Sequence, residues 1–108
     1  MQYQAPLLVV GLNDVIANTA NKVYVVAVAN QSVYLDELSL TFDAAVATAV
    51  ITLEDTNGVN AGFISTVVLG PHVVNFHGLA LAPGVGFRIR NTAGAAVTIR
   101  GKLTYSQY

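Results

Sequence analysis

Cysteine and tryptophan are absent from the 108 residues, and only 10% are charged, against about 25% in ordinary soluble domains. The missing cysteine excludes disulfide frameworks, thiolate zinc sites and cysteine nucleophiles, and it leaves the redox compartment unreadable. The missing charge has a broader consequence. A domain of this length leaves roughly a third of its unfolded-chain surface exposed after folding. With 54% of residues hydrophobic and a net charge of −1, much of that surface must be apolar or neutral. Either other subunits cover it or the chain is poorly soluble. The composition therefore predicts an oligomer or a component of a larger assembly.

Long hydrophobic runs are missing too. The longest, Leu7–Leu12 and Val23–Ala29, fall far short of the ~20 apolar residues that a membrane-spanning helix needs. Polar residues flank both, so the positive mean hydropathy of +0.56 implies no membrane partner. In MQYQAPLLVVGLND no positive residue precedes the apolar patch, which reads as a poor signal peptide.

Constellations that carry chemistry are equally thin. A metal site needs three or four convergent ligands, usually from His, Cys and acids. The two histidines, His72 and His77, both lie in LGPHVVNFHGLALAPG, and no acid follows Asp55. An odd separation on one strand sends the two rings to opposite faces. Pro71 before them and Gly78 after them place both at strand ends, where they serve structure or an interface. None of Ser32, Ser39, Ser65 and Ser106 sits in a G-x-S-x-G elbow. The pairs Asp36-Glu37 and Glu54-Asp55 are chain neighbours, not carboxylates flanking a sugar cleft. Gly84-Val85-Gly86 has no following helix to hold a phosphate, and Asp55-Thr56-Asn57-Gly58 lacks the remaining acids of a calcium loop. Asn30-Gln31-Ser32 fits the glycosylation pattern, which matters only in a secreted chain. The expectation is no enzyme, no cofactor and no metal.

What is present is a succession of strands. Turn signals recur about every 8 to 12 residues, which argues for one all-β domain over residues 1–108, an antiparallel sandwich or a barrel. Residues 1–6 read either as an N-terminal arm or as a frayed terminus. About eight strands are predicted: Leu7–Leu12, Lys22–Asn30, Val33–Asp43, Thr48–Glu54, Phe63–Leu69, His72–His77, Gly84–Asn91 and Ala95–Tyr105. Lys22–Asn30 is apolar on both faces, like a central or covered strand. In Val33–Asp43 the inward set Leu38, Leu40 and Phe42 is out of phase with Val33 and Leu35, which predicts a bulge at Asp36-Glu37. Ala49, Ile51 and Leu53 face inward, as do Val74 and Phe76. A single helical turn fits only at Asp43–Ala49. Asn57-Gly58 accepts positive φ at low cost and marks a tight turn.

The charges are unevenly placed. Residues 1–70 hold all six acids and Lys22, a formal −5, whereas residues 71–108 hold Arg88, Arg90, Arg100 and Lys102 and no acid. Alternation with Val85, Phe87 and Ile89, and with Val97, Ile99 and Leu103, turns all four cations outward. If their strands pair directly, Arg88 lies near Arg100 and needs an anionic partner. Glu37, Glu54 and Asp55 are candidates, in the same chain or a neighbouring subunit, ahead of any nucleic acid. Tyr3, Tyr105 and Tyr108 sit near the chain ends and suit docking onto a partner or packing on the sandwich edge. Arg88, Arg90, Arg100, Lys102, His72, His77, Tyr3, Tyr105 and Tyr108 are thus the candidate interface residues.

From Thr48 to Tyr105 the order TAVITLED, TNGVNAG, FISTVVL, HVVNFHGLAL, APGVGFRIRN and TAGAAVTIRGKLTY resembles the small jelly-roll β-sandwich proteins of tailed-phage virions, including capsid decoration (cement) proteins. The likeness lies in strand cadence and turn composition, with no signature motif. It implies a jelly-roll sandwich made in the host cytoplasm, forming a homotrimer on the capsid surface. It further implies contact with the major capsid protein or other virion subunits, and stabilisation of the head without catalysis. The alternative is a carbohydrate- or receptor-binding module of a phage tail or a lectin-like protein, for which scattered tyrosines and absent tryptophan are a poor fit.

Overall fold

Period-two alternation of apolar residues builds strands that each present one face to a core. In the computed structural model, which describes residues 6–42, 51–64, 70–92 and 95–108, eight strands form and no helix occurs among the described residues. They are β1 (Leu8–Ile16), β2 (Asn21–Val25), β3 (Val33–Phe42), β4 (Ile51–Asp55), β5 (Asn60–Ile64), β6 (Gly70–Ala80), β7 (Phe87–Asn91) and β8 (Val97–Gln107). Two four-stranded sheets result, in the orders β1-β8-β3-β6 and β2-β7-β4-β5. Every pairing is antiparallel, and the pairs are nested: β1 with β8, β2 with β7, β3 with β6, and β4 with β5 at the tip. The fold is an antiparallel β-sandwich.

Both sheets contribute to a single apolar core. Leu38, Leu40, Phe42, Ile99 and Leu103 from the first sheet pack with Ile51, Leu53, Phe87 and Ile89 from the second, all fully or almost fully buried. The inward sets expected from alternation are therefore the buried ones. Ala49 and the Asp43–Ala49 turn lie outside the described residues, as do residues 1–5 of the expected arm.

The bulge at Asp36 falls where the phase change put it. Leu35 pairs with Tyr105 and Glu37 with Thr104, so Asp36 is the extra residue on β3. That extra residue returns Val33 and Leu35 to the core side, where both are fully buried. Thr104 Oγ1 donates to Asp36 Oδ2 at 2.8 Å and pins the bulged carboxylate to β8. The Asn57-Gly58 turn also forms. Asp55 Oδ1 accepts from the backbone N–H of Asn57 (2.8 Å) and of Val59 (2.9 Å), and Gly58 adopts φ +86°.

Two expectations are corrected, and one condition is not met. Lys22–Asn30 is not a central strand: β2 stops at Val25 and forms a sheet edge, with Val23, Val26 and Val28 exposed. An apolar pattern on both faces fits a strand covered by its own chain or one left uncovered, and periodicity does not separate the two. His72 and His77 do not end their strand, because β6 runs from Gly70 to Ala80. Positive φ at His77 (54°) and Gly78 (76°) makes a kink there instead of a stop. Finally, β7 and β8 lie in different sheets, so Arg88 and Arg100 are not cross-strand neighbours. The strand expected over Phe63–Leu69 starts at Asn60, and residues 65–69 lie outside the described residues.

Candidate functional site

The most organised charged group lies on the outward face of the β2-β7-β4-β5 sheet. Glu54 of β4 stands directly opposite Arg88 of β7, and Arg88 Nε donates to Glu54 Oε1 at 2.6 Å. Arg88 Nη1 also donates to the Thr56 carbonyl at 3.4 Å. Arg90, one outward position further along β7, brings its Nε to 3.3 Å from the same Oε1, yet that nitrogen is buried and makes no hydrogen bond. The Glu54 side chain is only 4% exposed, against 17% for Arg88 and 42% for Arg90. One buried carboxylate thus serves two guanidinium groups. Glu54 was one of three acids open as partners for Arg88, and it is the one that the fold supplies. The cluster neutralises charge within the chain, and Arg88 is largely consumed by it.

A second polar group joins the two sheets at their β1 and β2 edges. Tyr24 Oη donates to Asp14 Oδ2 at 2.9 Å, and Lys22 Nζ lies 3.4 Å from Asp14 Oδ1. The Tyr24 hydrogen bond, joined by Lys22, holds the Asp14 carboxyl below its ordinary range despite partial desolvation. Burial, then the hydrogen bond to Asp14 and the Asp14 charge, push the Tyr24 phenol above its ordinary value. The linkage signs follow. A depressed carboxyl stabilises the fold above its unfolded pKa, and that contribution is lost as pH falls through the folded value. A raised phenol stabilises below its unfolded pKa of about 10, and that contribution is lost as pH rises beyond it. Tyr24→Phe should therefore lower stability at pH 7 by about 1 kcal/mol. It should also flatten the stability–pH curve both below pH ~4 and above pH ~10. Thermal melts across pH, followed by circular dichroism, check this; a variant curve parallel to the parent's at both ends would reject the coupling.

Arg100 and Lys102 occupy the opposite face of the molecule. Both are exposed on β8, an internal strand of the β1-β8-β3-β6 sheet. Register sets Arg100 between Asn13 and Thr41, and Lys102 between Gly11 and Ser39. The residues directly opposite these two cations are small and neutral, and Glu37 lies one outward position beyond Ser39 on β3. The candidate interface residues that are described do not form one surface: Arg88 and Arg90 are on one sheet, Arg100 and Lys102 on the other.

The remaining candidates divide by environment. His72 turns inward and packs edge-on against Phe42, with ring centroids 5.2 Å apart, whereas His77 is exposed at the β6 kink, where its backbone N–H donates to Asn75 Oδ1 at 2.9 Å. Among the described residues no three His, Cys, Asp or Glu side chains gather as a metal site would require. Tyr105 packs against the core. Tyr108 stacks on Tyr34 at 4.5 Å and is 52% exposed. Tyr3 lies outside the described residues.

Sequence reasoning missed the β1–β2 side as a surface. Seven of the eleven exposed large apolar residues in the described chain fall between Leu7 and Val28. The only charges in that span, Asp14 and Lys22, pair with each other. A signal existed: two opposite charges in an otherwise uncharged stretch of this length predict a neutral surface wherever its strands lie at an edge.

No protein-family model matches the chain, and no curated protein matches it either. Fold and site together define a class: a charge-poor antiparallel β-sandwich with one carboxylate shared by two arginines on one sheet and two exposed cations on the other.

Proposed function

We propose that the chain is a non-enzymatic virion structural protein, a capsid decoration protein that binds the head surface and stabilises it as an oligomer of identical subunits. The observation that carries this reading is the outward face of the β1-β8-β3-β6 sheet. There Arg100 and Lys102 project from an internal strand among Gly11, Asn13, Ser39 and Thr41. Such a face brings Lys102, with Arg100 beside it, up to acidic groups on a larger surface, which sets orientation and specificity. The work done is burial of surface, on the order of 1,000 Å² or more per contact, bridging neighbouring capsid subunits. The nested strand order supports a jelly-roll topology for the sandwich, because a long hairpin with its tip at β4–β5, rolled up, gives these two sheet orders.

The test is co-sedimentation of the purified chain with heads from the virus that encodes it, beside an array of immobilised glycans. Saturable pelleting, weakened at least ten-fold in an Arg100→Glu, Lys102→Glu double variant, is the expected result. A chain that stays in the supernatant but binds a glycan overturns this reading in favour of a carbohydrate-binding module.

A further inference from the structure

The four sheet edges differ in how they are protected. Natural edge strands avoid unwanted pairing by being short, by carrying proline or lysine, or by bulging away. β2 is five residues long, carries Lys22, and shifts register between Val23 and Val25. β5 has a register shift against β4, and β6 carries Pro71 and the His77-Gly78 kink. β1 has none of these. Its nine residues, LVVGLNDVI, pair with β8 in unbroken register from Leu8↔Tyr105 to Ile16↔Val97. Among the described residues no strand lies on its other side. An edge this long, regular and apolar leaves a row of backbone N–H and C=O groups set for pairing.

The pattern of β1 also identifies its occupant. On the outward face, Val9 and Val15 are 63% and 68% exposed, with Gly11 and Asn13 between them. Leu12 is the midpoint of this array. If β1 pairs antiparallel with itself about Leu12, each Val9 faces a Val15 of the other copy, and each Gly11 an Asn13. A shift of the register by two residues in either direction unpairs the valines. The single charge on the strand, Asp14, is already matched by Lys22 of the same chain, so two copies meet without bringing an unpaired charge to the seam. We propose that β1 is a self-association strand, joining a second copy of this chain across a two-fold axis at Leu12 and continuing one four-stranded sheet into an eight-stranded one.

This deepens the self-association in the functional reading above but does not depend on a capsid. It also departs from three-fold symmetry, because a contact between identical strands closes on two subunits. Light scattering should give twice the 11.3 kDa chain mass. The absence of native cysteine allows a register test. Opposed residues of antiparallel strands have Cα atoms about 4.5–5.5 Å apart, within disulfide range. A mixture of Val9→Cys and Val15→Cys chains should therefore yield a covalent dimer on oxidation. Neither variant should cross-link alone, since like positions are then about 20 Å apart along the strands. Val15→Lys, at a position open to solvent, should halve the mass of the parent species while its circular dichroism spectrum is retained.

A monomer across the accessible concentration range, a trimer without the mixed cross-link, or single variants that cross-link as fast as the mixture would each overturn the proposal. A dimer that ignores viral heads keeps this contact and removes the virion reading. A monomer that pellets with heads does the reverse.

Discussion

Replacing Gly101 with alanine is expected to cost about 3 kcal/mol, which lowers the melting temperature by roughly 12 °C or more in a domain of this size. Gly101 lies in β8, a strand bonded on both sides, opposite Leu12 of β1 and Leu40 of β3. A Cβ there would stand 1.9 Å from the Ser39 carbonyl oxygen and 2.7 Å from Leu40 Cα. Those are backbone atoms of a paired strand, so no side-chain rotation relieves the contact. β8 would have to part from β3, disturbing the neighbouring positions that keep Ile99 and Leu103 in the core. A control isolates this cause. At Gly11, on the adjacent strand, a Cβ meets nothing within 4 Å, so Gly11→Ala should change stability by no more than about 0.5 kcal/mol. Urea unfolding at matched protein concentration reads both. Equal midpoints for the two variants would sink the close-approach account. Gly86→Ala belongs with Gly101→Ala, since its Cβ would fall 2.0 Å from the Val25 carbonyl oxygen.

Neither close approach was legible in the sequence, and the reason is general. Alternation reports which face a residue takes, and that part was readable: Phe87 and Ile89, Val97, Ile99 and Leu103 are inward as expected. The bulge at Asp36 was readable as well, because a one-residue insertion reverses every later position. Alternation carries no information about which strand lies beside which. The strands expected over Gly84–Asn91 and Ala95–Tyr105 follow one another closely, as the arms of a hairpin would, yet β7 and β8 lie in different sheets. The separation of Arg88 from Arg100, the edge position of β2, and the narrowing of three candidate acids to Glu54 all turn on strand order, which is a property of the whole fold. The kink at His77-Gly78 failed differently: glycine after a strand pattern reads as an end, and here it bends a strand that continues to Ala80.

Strand order also makes the Glu54 cluster, and with it the second large effect. Glu54→Gln should cost about 2–3 kcal/mol, somewhat less than breaking a fully buried ion pair because Arg90 reaches solvent. The substitution keeps the shape of the side chain and removes the charge, leaving two guanidinium groups beside a buried neutral amide. Arg88→Gln should cost less, about 1–2 kcal/mol, because Glu54 keeps a cation 3.3 Å away in Arg90. Arg90→Gln should fall within about 0.5 kcal/mol of the parent. Its Nε makes no hydrogen bond to lose, and Arg88 continues to neutralise the carboxylate at 2.6 Å. The order Glu54, Arg88, Arg90 is therefore the signature of one carboxylate shared unequally between two cations. Urea midpoints of the three single variants at pH 7 measure it directly. If Arg90→Gln proved as costly as Glu54→Gln, Arg90 would be a full partner in the cluster and the unequal sharing would be wrong. If Glu54→Gln proved neutral, the buried carboxylate would not be what holds β4 and β7 together on that face, and the apolar core beneath it would suffice.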